Sequence, residues 1–204
     1  MIKKILTLAL TVVAFSNFVF GQEKIDEYTS SYFDKKYDIN ASQDKKDTTK
    51  FSYYIDCASA DKLHSQVDLM FDSNDLPDFI EFLNSIKSTY SKWQETAKQN
   101  NVTELDKEIE IKPFKCQSAF VYGDWNFDFG VRLTPRAKIV KGEMLLILES
   151  DELQSSSNQF MKHDGFYLVF SSSKEIDDFI SKIDIEKVKE HFRKKNKSDD
   201  LFKN

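Results

Sequence analysis

Asp124 and Asp128 are the first residues whose type and spacing suggest chemistry, because two carboxyls on one face can work as acid and base. They bracket the start of Trp125-Asn126-Phe127-Asp128-Phe129-Gly130-Val131-Arg132-Leu133-Thr134, where odd positions are large or apolar and even positions are small, polar or charged. That alternation predicts a strand with one buried and one wet face. At ~3.3 Å per residue, four residues along it separate the two carboxyls by about 13 Å. Glycosidase carboxyl pairs stand ~5 to 9.5 Å apart, so this pair fails. A cross-strand pair would meet the distance, and the sequence identifies none.

Metal chemistry fares no better. His64, His163 and His191 have no partner at ligand spacing, and neither Cys57 nor Cys116 has a Cys-x-x-Cys neighbour. Asp38-Ile39-Asn40-Ala41-Ser42 opens like a calcium loop. The loop's sixth and twelfth positions then hold Gln43 and Thr49 instead of Gly and Glu. No Gly-x-Ser-x-Gly elbow or Gly-rich phosphate loop is present. Cys57 or Cys116 with a distant His would make a nucleophilic pair, yet in an exported chain a disulfide is the simpler use of exactly two cysteines. Such a bridge closes a loop of about 60 residues, worth roughly 4 kcal/mol on the chain-entropy model. Two buried free thiols are the alternative. The reading is therefore no catalytic residues, no metal and no cofactor.

Recognition remains. The even face carries Asn126, Asp128 and Arg132, and a long polar loop from Ser150 to Gly165 carries His163. These four are the candidate ligand-binding residues, facing an unknown protein or a small polar ligand. The competing reading is a solvated sheet face. Trp93, Trp125 and Phe127 would line an apolar pocket if the space beneath the long helix were not filled.

The elements that must position these residues begin after an export signal. Lys3-Lys4, then the uncharged run Ile5 to Phe15, then Val19-Phe20-Gly21 have the three-part layout of a signal peptide ending before Gln22. Ser16-Asn17 interrupts the apolar run short of the ~20 residues a spanning helix needs. No Cys follows Gly21, so a lipid anchor is not expected. The expectation is a soluble periplasmic or extracellular protein without stable membrane insertion. Loss of Lys3 and Lys4 lowers the basic count from 29 to 27 against 34 acids, a net charge of −7. That balance argues against nucleic acid as a partner.

Residues 22–50 read as a polar N-terminal segment whose end, Ala41 to Lys50, is linker. Residues 51–193 read as one domain, and 194–204 as a charged tail. Phe51–Ile55 and Val67–Phe71 predict strands. Leu76, Phe79, Ile80, Leu83, Ile86, Tyr90, Trp93 and Ala97 make a helical stripe ending near Asn100-Asn101. Ile109–Ile111, Phe120–Tyr122, the Trp125 run ending at Thr134-Pro135, Met144–Leu148 and Phe166–Phe170 predict further strands. A phase change is expected at Gly123. Ser172-Ser173-Lys174-Glu175 is a capping box opening a second helix. The stretches from Ser73 and Ser173 echo one another, a likeness that generic capping physics accounts for.

The expected fold is α+β: a mostly antiparallel sheet of about five to six strands, with a long helix and a C-terminal helix on one face as a two-layer sandwich. The expected function is an exported, non-enzymatic binding or protein-interaction domain. A hydrolase with residues gathered from several strands competes with it, as does a structural envelope protein. A cleft holding convergent carboxylates would favour the hydrolase.

Overall fold

The computed structural model describes residues 21–200, with side chains to residue 198. The signal-peptide stretch before Gly21 lies outside the described residues. The strands are β1 (Glu23–Ser30), β2 (Lys35–Gln43), β3 (Phe51–Asp56), β4 (Ala58–Ser59), β5 (Val67–Asp72), β6 (Asp106–Glu108), β7 (Phe114–Tyr122), β8 (Asp124–Val140), β9 (Glu143–Ser150), β10 (Leu153–Gln154), β11 (Lys162–His163) and β12 (Phe166–Phe170). The helices are α1 (Leu76–Gln99), α2 (Ser173–Lys182) and α3 (Ile185–Asp200).

The fold is mixed helix and strand, and its main sheet is larger than expected. Ten strands, all antiparallel to their neighbours, follow the order β1-β2-β3-β5-β7-β8-β9-β12-β4, with β6 beside β8. Because β4 continues β3 past Cys57, the pairings from β3 around to β12 return to the strand they left. The Cys57 amide still donates to Val67 on the β5 side, while the Ala60 amide donates to Gly165 beyond β12. Successive residues point to alternate edges, so β5 and β12 flank this strand on opposite sides.

Two of the extra strands come from residues 22–50, where the sequence predicts a polar segment ending in linker. Tyr37, Ile39 and Ala41 alternate inward along β2, and Tyr28 stacks on Tyr37 at 5.1 Å between ring centroids. Cross-strand aromatic pairs of this kind hold a ladder together. The spacing of these residues was a strand signal hidden by their polar neighbours.

Helix α1 runs to Gln99 with Asn100 as its C-cap, as the stripe predicts, and buries Leu76, Phe79, Phe82, Leu83, Ile86 and Tyr90. Each such burial contributes about 1.5–3 kcal/mol. Tyr90 also donates to the Met144 carbonyl at 2.6 Å, tying the helix to β9. The predicted capping box opens α2: Ser172 Oγ accepts from the Glu175 amide at 3.2 Å, and Glu175 accepts from Ser171 at 2.9 Å.

Strand β8 departs from expectation twice. Cys116 opposes Val131 and Ser118 opposes Asp128, so β8 advances three residues where β7 advances two. The bulge at Phe129-Gly130 moves the phase change away from Gly123. Before it Asn126 is buried; after it Val131, Leu133, Pro135 and Ala137 are. Phe129, assigned to the core by its odd number, is 61% exposed. Pro135 does not end the strand either. Its carbonyl accepts from Ile109 at 2.8 Å, so its missing N–H faces the gap between the end of β6 and the start of β7.

No disulfide forms. Cys57 and Cys116 are both free and buried. They stand on strands separated by β5, hence at least ~9.5 Å apart at the usual strand spacing, beyond the ~7 Å reach of a bridge. Burial pushes both thiols well above their usual range.

Candidate functional site

The four residues singled out from the sequence do not converge. Asn126 is buried, with Nδ2 donating to the Asp124 carbonyl at 2.9 Å. Asp128 is a brace for the bulge: Oδ1 accepts from the Gly130 amide and Oδ2 from the Gln154 amide, both at 2.8 Å. Arg132 is exposed on the far side of the bulge. His163 is 1% exposed and accepts at Nδ1 from the Gly165 amide at 3.1 Å. Nε2 therefore carries the proton, and it faces Ser59 Oγ at 3.1 Å and the His64 carbonyl at 3.0 Å. A base for Ser59 would need the opposite tautomer. Burial lowers the His163 pKa and keeps the ring neutral. The residue ties the loop after β4 to the turn before β12.

A different set does converge. Register places Asp56 of β3 directly opposite Asp68 of β5. One step beyond the Ile39–Ile55 pair, Asp38 of β2 flanks Asp56, and its amide approaches Asp56 Oδ2 at 3.4 Å. Three carboxyls thus lie in a row across three neighbouring strands. They line a cleft of about 430 Å³ together with Gln22, Lys35, Asn40 and Trp125.

The electrostatics of this row are unusual. Asp68 is 5% exposed, and burial together with the adjacent Asp56 pushes its pKa well up. Asp56 is pushed up by burial too, opposed by the Asp38 amide and by its hydrogen bond with Asp68. Like charges this close do not both ionise, so the pair shares a proton that Asp68 holds. Among the described residues, no N–H or hydroxyl donates to the Asp68 carboxyl. Gln22 Nε2, also on the cleft wall, is buried without a partner. Asp38 is ion-paired to Lys24 at 2.6 Å.

Other clusters are committed to structure. Asp61 is opposed by burial yet held down to about 2 by the Leu63 amide and by the ring and amide of His64, fixing the loop after β4. A larger groove of about 1010 Å³ runs beside the C-terminal end of α1, where Glu95 and Lys98 are exposed and Glu175 is used in the α2 cap. Among the described residues no group of three or more His, Cys, Asp or Glu is placed to hold a metal ion, and no helix is long and apolar enough to cross a membrane.

Sequence reasoning passed over Asp56 and Asp68. One signal was legible: Asp68 is the sole charged residue within the apolar run Val67–Phe71. Its partner was not, because only the β3–β5 register sets Asp56 opposite. Against known proteins, the chain matches no family model, no curated protein and no solved structure.

Proposed function

We propose that this protein is an exported binding domain whose ligand is a small molecule bearing a cationic amine, held in the acidic cleft. The observation that carries this reading is Asp68, a carboxyl lining a cleft at 5% exposure with no N–H or hydroxyl donor from the described chain. Its hydrogen bond with Asp56 leaves acceptor capacity on both carboxyls, and an ammonium supplies three donors and the compensating charge. Trp125 offers an aromatic face of the kind that attracts cations. Export rests on the layout of Met1 to Gly21, and N-terminal sequencing of the secreted protein should begin at Gln22.

Thermal unfolding in the presence of small amines, neutral isosteres and carboxylic acids tests the binding. Amines alone should raise Tm, and Asp68→Asn should remove the effect. Equal stabilisation by neutral and cationic compounds sinks the reading.

A hydrolase is the second reading, favoured by one observation: a carboxyl and a carboxylate sharing a proton are an acid and a base in one place. A hydrogen-bonded pair is too close for the ~5 to 9.5 Å glycosidase arrangements, so the chemistry left to it is water activation by a dyad. Turnover of ester, amide or glycoside substrates that disappears in both Asp56→Asn and Asp68→Asn would decide for it.

A further inference from the structure

Asp56 and Asp68 face each other across paired strands, which holds their Cβ atoms about 5 Å apart on one face of the sheet. The fold thus sets two carboxyls side by side on the cleft wall, an arrangement that favours a proton or another cation between them. Lys35 acts on Asp56 by its charge, but among the described residues neither it nor Lys24 forms an ion pair with Asp56 or Asp68. Lys24 is engaged by Asp38 and Glu27, at 2.6 and 3.1 Å. Lys35 lies over the Tyr37 ring, 4.8 Å from its centroid. Ser65, Gln66 and Trp125 close the remaining wall without a charge, and the Cys57 thiol is kept protonated by burial.

We propose that the Asp56–Asp68 pair is a cation-for-proton exchange site, in which an entering ammonium group replaces the proton that the two carboxyls share. The inference rests on the amine-binding reading above and adds its regulation. The balance is simple: R–NH₃⁺ plus a singly protonated carboxyl pair gives the ammonium held by two carboxylates, and one proton passes to solvent. No bond to carbon is made or broken. The proton leaves from Asp68, the deeper of the two, and the ammonium takes its position between the strands. Gln22 Nε2 on the same wall, without a partner among the described residues, supplies a donor to a polar group elsewhere on the ligand. At about 430 Å³ the cleft has room for a short aliphatic amine.

Exchange makes affinity depend on pH in a defined direction. Where the free pair holds one proton and the occupied pair none, each rise of one pH unit should strengthen binding up to tenfold, by mass action on the proton. Asp38 and Lys35 of β2 face the pair along the same cleft wall, and both act on Asp56 by charge, in opposite directions.

Isothermal titration of the purified protein with 1,4-diaminobutane, and separately with Nα-acetyl-lysine amide, tests the proposal. Each is titrated in phosphate and in HEPES, whose ionisation enthalpies differ, between pH 5 and 7. The expected result is about one proton released per ammonium bound and affinity that rises with pH. Whichever probe binds more tightly tells whether the amine comes from a free metabolite or a protein side chain. Asp68→Asn, and independently Asp56→Asn, should reduce proton release to near zero and weaken binding at least tenfold. Binding with no proton release in the wild type overturns the exchange while leaving the amine site intact. No binding of either amine overturns the amine reading and the exchange with it. The wild-type titrations decide the matter even if a variant fails to fold.

Discussion

Asp56 and Asp68 occupy directly opposed positions on β3 and β5, and they share one proton beneath the wall of a polar cleft. Like charges directly opposed on a sheet destabilise it; here a proton removes the conflict. The folded state consequently keeps a proton to higher pH than the unfolded chain with its ordinary carboxyls.

The sign of the linkage follows. A carboxyl whose folded pKa is raised favours the folded state at low pH, and that contribution is lost as pH climbs from the ordinary carboxyl value toward the raised one. Denaturant unfolding without ligand should show stability falling across this window by up to about 1.4 kcal/mol per pH unit for one proton. Asp68→Asn, which keeps the shape and cannot ionise, should flatten the profile. A wild-type profile that rises steadily with pH in this window would refute the shared proton.

His163 should show the opposite dependence. Its folded pKa is lowered, chiefly by burial, so the unfolded chain takes up a proton first as pH falls below the ordinary histidine value. His163→Ala leaves Ser59 Oγ and the Gly165 amide without their ring partner and opens a cavity. A loss of roughly 2–4 kcal/mol is expected from cavity formation and unpaired groups. Chemical denaturation measures it, and a loss below ~0.5 kcal/mol would mean that the ring is not a structural tie.

Asp128 and Arg132 should differ, although they share the polar face expected from the sequence. Asp128→Ala frees the Gly130 and Gln154 amides and should cost about 1–3 kcal/mol. Hydrogen exchange should quicken at those two amides. Arg132→Ala, at an exposed position, should stay within ~0.5 kcal/mol of wild type.

Both thiols should resist alkylation in the native protein. In denaturant without reductant, mass spectrometry should find both Cys57 and Cys116 modified, since neither is bridged. Two adducts appearing only after reduction would contradict the free thiols.

Some elements were legible because local chemistry decides them. The α1 stripe from Leu76 to Ala97, the stop at Asn100 and the Ser172 capping box depend on neighbours three or four residues away, so the sequence contains the whole signal. The tight turn of Lys141-Gly142 between β8 and β9 has φ of 52° and 84°, the positive angles that a two-residue hairpin turn requires. Strand number was less legible. Tyr28 and Tyr37 become core only when the hairpin of β1 and β2 wraps back over Phe170 and Phe179.

Taken alone, the amino-acid sequence determined α1, the start of α2, the strands β3, β5, β8, β9 and β12 and the acidic balance of the chain, since each arises from nearest neighbours or from simple sums of charge. Strand β6 (Asp106–Glu108) precedes the strand expected at Ile109–Ile111, and α3 runs through the expected tail to Asp200. Only the tertiary structure decided the bulge at Phe129-Gly130, the separation of Cys57 from Cys116, and the meeting of Asp56 with Asp68. These depend on strand register, and a shift of one residue turns every side chain to the other face. Asp68 is an ordinary polar position in Val67–Phe71 until β3 is laid beside it in the register that sets Asp56 opposite.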